Sequence, residues 1–177
     1  MNYADLKKTD IANGPGVRVS LFVSGCTHGC PGCFNPETWD FQFGQPFTQK
    51  TMDTLLAALA PEHIRGLSLL GGEPLHPDNQ KTVLEVVRRV REAFPHKTVW
   101  CYTGYFYENL VQGQVGDPET VRALLEGIDV LVDGPFVEAR KNLGLRFRGS
   151  DNQRILLASA SLAAGELILW EDVPYGT

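Results

Sequence analysis

The sequence contains no long apolar run. Nowhere do about 18 apolar residues follow one another, which is the length that a membrane-spanning helix requires. The first ten residues, MNYADLKKTD, lack the apolar core of a secretory signal peptide. The sequence therefore predicts a cytoplasmic protein without a membrane anchor, in a compartment where thiols stay reduced.

Internal repeats, low-complexity tracts and linker-like segments are also missing. The 177 residues are enough for one hydrophobic core, so we expect a single domain over residues 1–177. A basic excess is absent too, because the formal net charge is −5. Since a nucleic-acid-binding protein must neutralise phosphates with positive charge, we expect no nucleic-acid partner.

Cysteine is scarce, yet three of the four cysteines fall within eight positions. Cys26, Cys30 and Cys33 form a Cys-x3-Cys-x2-Cys pattern in the segment SGCTHGCPGCFNPETWD (24–40), and Cys101 lies far away in the chain. Because disulfides are rare in a reducing compartment, the pattern indicates a metal centre rather than a disulfide framework.

Three interpretations of this cysteine loop are open. A structural zinc ion needs a fourth ligand, for which only His28 and Cys101 are candidates, and His28 is awkwardly close to its neighbouring cysteines. Buried structural cysteines are the second, but three thiols in a glycine-rich loop do not resemble a packing pattern. The third, which we favour, is a 4Fe-4S cluster held by three cysteines, with one iron open to a substrate or cosubstrate.

Buried strands alternate with helices along the chain. Apolar runs predict strands at 17–24, 66–70, 98–103 and 129–134, and helical periodicity predicts helices at 48–60, 80–94 and 117–127. A polar, basic segment (138–154) and a final edge strand, ELILWED (166–172), follow. Strands joined through helices predict an α/β fold in which helices cover a parallel sheet.

Four groups come just after the ends of the predicted strands. They are Cys26, the turn Gly71-Gly72-Glu73, Thr103 and Asp133. Right-handed crossovers bring the carboxyl ends of parallel strands to the same edge of a sheet, where ligands of such folds bind. We therefore expect these four groups to face one another around a site.

The cysteine loop belongs to a longer pattern. CTHGCPGC fits the three-cysteine signature of the radical S-adenosylmethionine (SAM) enzymes, and NGPGVRVSLFVSGCTHGCPGCFNPETWD (13–40) resembles the small activating enzymes of glycyl-radical proteins. The segments GGEPLHP (71–77), YTGY (102–105), VDGPF (132–136) and RGSDNQ (148–153) extend the resemblance, in order and spacing, over about 140 residues. The resemblance implies an open, partial (β/α) barrel of the radical SAM type.

The activity that the resemblance implies is reductive cleavage of SAM at a 4Fe-4S cluster, followed by formation of a glycyl radical on a partner protein. Cys26, Cys30 and Cys33 would hold the cluster, and no catalytic side chain beyond the cluster and SAM is implied. The implied partners are a glycyl-radical enzyme, foremost the large component of anaerobic ribonucleotide reductase, and a reducing electron donor such as flavodoxin or ferredoxin. Another glycyl-radical protein, such as pyruvate formate-lyase, or a small-molecule substrate is the alternative.

The resemblance also assigns the methionine part of SAM to the turn after the second predicted strand. Gly71 and Gly72 would let backbone groups approach the methionine amine, and Glu73 would accept a hydrogen bond from it. An ordinary strand-to-helix turn is the alternative interpretation of the two glycines.

Five further residues complete the predicted cofactor site. Asp133 would accept from the ribose hydroxyls and Thr103 would contact SAM through its hydroxyl, with purely structural roles in a turn or at a strand end as the alternatives. Backbone groups around Gly32, Cys33 and Phe34 would meet the adenine.

Some positively charged residues have no role in this scheme yet. Where relatives carry a lysine for a carboxylate, this chain has Pro135, and Arg148 or Lys141 could substitute for it. The basic run as a whole is either a solvated loop, an anion contact or a docking surface for the partner; it comprises Arg140, Lys141, Arg146, Arg148 and Arg154. Arg18 is either in a buried ion pair near the site, which the resemblance favours, or an outward-pointing edge residue. We further expect His28 to lie outside the ligand set and Cys101 to be a small buried residue.

Overall fold

A single seven-stranded sheet organises the chain in the computed structural model, which describes residues 1–171. Its strands are Asn2–Asp10 (β1), Val17–Val23 (β2), Gln45–Pro46 (β3), Ile64–Gly71 (β4), Thr98–Tyr102 (β5), Val130–Asp133 (β6) and Arg154–Leu157 (β7). The helices are Gln49–Leu59 (α1), Pro77–Ala93 (α2), Tyr107–Val111 (α3), Pro118–Gly127 (α4) and Ala158–Ala164 (α5). Short 3₁₀ turns occupy Pro36–Trp39 and Glu138–Arg140.

The strands lie in the order β3-β1-β2-β4-β5-β6-β7. The four central strands, β2, β4, β5 and β6, run parallel to one another, as the alternation of strands and helices predicts. The edges are antiparallel, because β1 pairs with both β2 and β3, and β7 pairs with β6. The fold is therefore mixed α/β with a mostly parallel centre rather than an entirely parallel sheet.

Helix boundaries follow capping residues. Thr48 and Asp117 accept hydrogen bonds from backbone amides of α1 and α4, at the positions that the sequence predicts for the helix starts. Helix α2 begins earlier than residue 80, because the His76 side chain caps it and Pro77 occupies its first position. The apolar stripe that periodicity predicts is Val83, Val86, Val87, Val90 and Phe94; the four valines are buried and Phe94 is partly buried.

The two faces of the sheet differ in chemistry. Alternate residues of the central strands, such as Leu21, Leu69 and Cys101, pack with the helices into the main hydrophobic core. The residues between them turn to the other face, where Trp100 and Val132 form a smaller cluster with side chains from the 147–170 region. This second face is covered by loops rather than helices, and it carries the polar side chains that the core excludes.

The C-terminal strand prediction is partly wrong. The strand beside β6 is Arg154–Leu157, and helix α5 then reverses the chain so that Leu169 makes only a single bridge to Leu156. The predicted ELILWED strand ends at Asp172, and the predicted domain ends at residue 177. Residues 172–177 lie outside the described residues. Within residues 1–171, no helix is long and apolar enough to cross a membrane.

Candidate functional site

A cavity of about 550 Å³ opens on the loop-covered face of the sheet, at the carboxyl ends of the parallel strands. Its wall includes the three clustered thiols, the Gly71-Gly72-Glu73 turn and Thr103. The structure therefore brings together three of the four groups that the sequence places after strand ends. The fourth, Asp133, lies at the same edge but not in the cavity wall.

The cysteine loop is fastened to the rest of the site by its backbone. Gly25 N donates to Thr38 O (2.7 Å), and Cys33 N donates to Cys30 O (3.1 Å), which closes a tight turn. Gly25 has a φ of 101°, and a Cβ there would stand 2.2 Å from the Phe41 ring. Only glycine permits this entry into the loop, because its φ is in the left-handed region and a ring fills the side-chain space.

The three thiols are free, partly exposed and directed to the same cavity. Burial raises the pKa of Cys26 to about 11, and the nearby charge of Glu73 adds to that rise. Burial also raises the pKa of Cys30. Cys26 and Cys30 are therefore protonated at neutral pH unless a positively charged centre stabilises their thiolates, which is how metal binding releases protons.

Ligand placement separates a cluster from a single ion. Within residues 1–171, no three Cys, His, Asp or Glu side chains converge closely enough to chelate one metal ion. Cys101, a candidate fourth zinc ligand, is fully buried in the helix-side core. His28, the other candidate, places Nε2 2.8 Å from Glu73. Both candidate fourth ligands of a zinc site are therefore engaged with other residues.

Glu73 is the most densely bonded side chain of the site, with 1% of its surface exposed. Its Oε1 accepts from Leu75 N (2.9 Å) and the Thr103 hydroxyl (2.8 Å). Its Oε2 accepts from Gly104 N (2.7 Å) and lies 2.8 Å from His28 Nε2. This carboxylate therefore joins the cysteine loop, the β4 turn and the end of β5.

The glycines of the Gly71-Gly72-Glu73 turn, which follows β4 and is here called the β4 turn, allow a close contact between backbones. Gly72 N donates to Val23 O (2.8 Å), and Glu73 N donates to Gly25 O (2.8 Å). A Cβ on Gly72 would stand 2.7 Å from the Gly25 carbonyl oxygen. The turn thus packs backbone to backbone against the start of the cysteine loop, and it presents its remaining surface to the cavity.

Phe34 and Gly32 differ in position although both flank Cys33. Phe34 lines the cavity, is 56% exposed and packs at 5.0 Å against the Phe136 ring. Gly32 is absent from the cavity wall, and the Glu138 side chain occupies the space that a Cβ on Gly32 would need. Of this pair, only Phe34 presents a ring to a ligand in the cavity.

Asp133 is buried and committed to protein partners. Its Oδ2 accepts from Tyr107 N (2.8 Å), at the start of α3, and its Oδ1 accepts from Arg154 Nε (3.0 Å). Arg154 also forms an ion pair with Glu108 on α3. In this arrangement Asp133 holds α3 and β7 to the end of β6, and its assignment to the ribose stays a prediction.

The basic run divides into neutralised and available members. Arg140 pairs with Asp151, and Arg154 pairs with Asp133 and Glu108. Arg148 donates to Gln153 O (2.6 Å) and is the member of this run that lines the cavity. The Lys141 ammonium lies 5.0 Å from the Phe34 ring centre, above that wall of the cavity.

Arg18, expected near the site, is fully buried beneath it. It donates to Ser68 Oγ (2.8 Å) and to the carbonyl oxygens of Leu67 (2.8 Å) and Thr98 (2.9 Å). The guanidinium also lies 5.7 Å from the Trp100 ring centre. It ties β2, β4 and β5 together on the cavity side of the sheet.

Several wall residues were not predicted from the sequence. They are Lys7, Ala12, Asn13, Phe22, Leu70, Tyr102, Leu143, Leu145 and Phe147. Phe22, Leu70 and Tyr102 are strand residues whose side chains alternate away from the helix-side core. The alternation of strand side chains could have predicted these three wall residues. The contribution of β1 and of the 142–149 loop could not be predicted in this way, because it depends on tertiary packing.

Comparison with known proteins places this geometry in a family. Residues 12–156 match the family model described as a 4Fe-4S single cluster domain. The chain is 46% identical over 157 residues to the anaerobic ribonucleoside-triphosphate reductase-activating protein of Vibrio cholerae, covering 88% of this chain and 97% of that protein. The proteins of the same name from Escherichia coli strain K12 (44% over 155 residues, 86% and 96% covered) and Enterobacteria phage T4 (41% over 157 residues, 88% and 93% covered) are similar to it too.

Proposed function

The chain belongs to the family of anaerobic ribonucleoside-triphosphate reductase-activating proteins with a single 4Fe-4S cluster domain, and on that premise we propose that it generates a glycyl radical on that reductase. When bound, the cluster and SAM supply one-electron cleavage of SAM to methionine and a 5′-deoxyadenosyl radical, which takes a hydrogen atom from a glycine Cα of the partner. The observation that carries the proposal is that three free thiols and the Gly71-Gly72-Glu73 turn line one cavity.

Cys26, Cys30 and Cys33 hold the cluster in this proposal. Both candidate fourth ligands, His28 and Cys101, are engaged elsewhere. One corner of the cluster is therefore left for SAM, in the same way that an incomplete protein ligand set leaves a catalytic metal open.

SAM binds in the same cavity, along the wall that runs from the cysteine loop to β5. We assign its methionine end to the Gly71-Gly72-Glu73 turn and Thr103, and its carboxylate to Arg148. We assign the adenine to the backbone around Gly32, Cys33 and Phe34. We assign the ribose end of SAM to the neighbourhood of Asp133, which holds α3 and β7 to the end of β6. Glu73 already receives four donors, so its main part is to fix Thr103, Gly104 and His28 around the ligand.

Three broader features belong to the same proposal. We also propose that the fold is a partial (β/α) barrel of the radical SAM type, which the open strand order from β3 to β7 supports. The electron comes from a low-potential donor such as flavodoxin or ferredoxin. The four free cysteines suit the reducing environment of the cytoplasm.

The test is electron paramagnetic resonance of a complete mixture. Anaerobically reconstituted, reduced protein mixed with SAM and anaerobic ribonucleoside-triphosphate reductase should give a glycyl-radical doublet, and the Cys33→Ala variant should give none. Formation of 5′-deoxyadenosine without a radical on the reductase would overturn the choice of partner in favour of another glycyl-radical protein or a small molecule. Absence of both signals would overturn the activity itself.

A further inference from the structure

A buried amide side chain lies behind the cysteine loop and the β4 turn. Asn79, in the first turn of α2, has 1% of its surface exposed. Its side-chain nitrogen donates to Glu73 O (3.0 Å), to Ser24 O (3.1 Å) and, at 3.4 Å, to Gly25 O. One NH₂ group therefore serves carbonyl oxygens on both sides of the junction between the two motifs.

The carbonyl group of Gly25 is the centre of this junction. Gly25 directly precedes Cys26, and its carbonyl oxygen also accepts from Glu73 N (2.8 Å). Gly72 packs so closely that a Cβ on it would stand 2.7 Å from the same oxygen. Because two backbones converge on one carbonyl group, a buried donor beside it limits how far they can move apart.

Helix α2 holds the Asn79 side chain in place. Pro77 occupies the first position of the helix, Asn79 N donates to His76 O (2.8 Å), and the valines of the helix are buried in the main core. Asn79 is not among the residues of the cavity wall. It therefore acts on a ligand in the cavity only through the backbone groups that it binds.

We propose that Asn79 is a positioning residue for SAM binding, which holds the cysteine loop and the β4 turn at one fixed separation. This inference rests on the proposed function, because it takes the cluster at the thiols and the methionine end of SAM at the β4 turn as given. A ligand that meets both motifs at once binds well only if their separation matches it. Groups that orient the ligands of a metal centre from behind typically change metal affinity or activity by about 10- to 100-fold when they are replaced.

Paired alanine variants separate positioning from general stability. Gln80, the next residue of α2, is 2% exposed, but its side-chain nitrogen donates to Leu75 O (2.8 Å) and Val115 O (3.3 Å) rather than to the cysteine loop or the β4 turn. Asn79→Ala and Gln80→Ala should both lower the unfolding temperature, by roughly 5–10 °C.

The affinity for SAM should distinguish the two variants. Equilibrium dialysis of the reconstituted, unreduced protein, which does not cleave SAM, measures the dissociation constant. It should rise at least about tenfold in Asn79→Ala and stay within about twofold of the wild-type value in Gln80→Ala. Asn79→Ser keeps one donor, so its dissociation constant should lie between those of the two alanine variants, and it replaces Asn79→Ala if that variant does not fold.

Hydrogen exchange gives a second readout, which needs no SAM. In the reconstituted protein, the Glu73 amide that donates to Gly25 O should exchange at least about tenfold faster in Asn79→Ala than in Gln80→Ala. A SAM affinity in Asn79→Ala no weaker than in Gln80→Ala would overturn the inference, since Asn79 would then contribute only to stability. Equal exchange of that amide in the two variants would also overturn it, because Asn79 would then not hold the junction. Faster exchange in Asn79→Ala, together with a wild-type protein that does not bind SAM, would instead refute the proposed function.

Discussion

At the scale of single residues, Glu73 shows how a buried charge can organise a site. A carboxylate with 1% exposure is costly unless donors surround it, and here four groups from three segments do so. The sequence correctly marks Glu73 as part of the site. The donors that saturate it come from residues 28, 75, 103 and 104, so its positioning role appears only once the strands are assembled.

Glu73→Gln should destabilise the protein. The amide keeps the shape of the side chain but turns an NH₂ group toward backbone donors, which leaves at least one buried donor unpaired and costs about 2 kcal/mol or more. Urea unfolding of the cluster-free protein measures the change. Glu92→Gln, on the exposed side of α2, is the control and should shift the free energy of unfolding by less than about 0.5 kcal/mol. Equal stability of the two variants would show that the Glu73 network contributes nothing.

At the scale of elements, the β4 turn and the cysteine loop behave as one unit. Their backbones are joined by the Glu73 N to Gly25 O bond (2.8 Å), and Gly72 leaves no space for a side chain. The motif that contains Cys26 and the motif that contains Gly71 are 45 residues apart in the sequence. In the structure they pack against each other as one unit. A change at the glycine turn therefore acts directly on Gly25, the residue before Cys26.

Gly72→Ala should loosen this unit. Its Cβ would stand 2.7 Å from Gly25 O and 2.9 Å from Thr38 O, so the loop must move, at a cost of about 1–3 kcal/mol. Thermal unfolding and iron retention after reconstitution should both fall. Gly29→Asn is the comparison, because Gly29 has a φ of 61° but no atom near its Cβ position, and asparagine tolerates that conformation. If Gly72→Ala retained iron as well as Gly29→Asn does, the close contact would be unimportant.

Asp10, the last residue of β1, makes stability depend on pH. Burial raises the pKa of Asp10, but hydrogen bonds from Ser20, Asn13 and Ala12 outweigh it, and the net effect lowers the pKa below its ordinary value of 3.8. The carboxylate therefore contributes stability above that value, which is lost as the pH falls through the lowered pKa. Asp10→Asn should cost about 2 kcal/mol at pH 6, and its deficit relative to wild type should shrink below pH 3.8. Urea unfolding at several pH values measures the difference in free energy of unfolding between Asp10→Asn and the wild-type protein. A difference that stays constant with pH would contradict this role. Asp53→Asn, on the exposed side of α1, is the control.

The predicted helices and strands agree with the structure where local sequence signals are strong. Helices α1 and α4 begin where the sequence predicts, because Thr48 and Asp117 cap them. Strand β1 was not predicted, since most of its residues are polar and only partly buried at the edge region. The four-residue β7 and the small helix α5 lie in a stretch without clear periodicity, and pairing with β6 defines them instead. Local pattern is thus informative inside the sheet and weak at its margins.

At the scale of the whole molecule, the sheet separates stability from chemistry. One face packs with the helices and is almost entirely apolar, and the other carries Arg18, Ser68 and the cavity. Alternation of helices and strands predicts the parallel centre and hence the edge at which the motifs meet. The rest of the cavity wall could not be predicted, because it comes from β1 and the 142–149 loop, which are far apart in sequence.

The central claim is that three thiolates, and no other side chain, hold a cluster that leaves a place for SAM. Its most direct test is the yield of 5′-deoxyadenosine from the reduced, reconstituted protein and SAM in the absence of any partner. The wild-type protein and Cys101→Ala should both form it, and Cys26→Ala, Cys30→Ala and Cys33→Ala should each form none. Product from all three loop variants, or loss of product in Cys101→Ala despite normal folding, would contradict the claim.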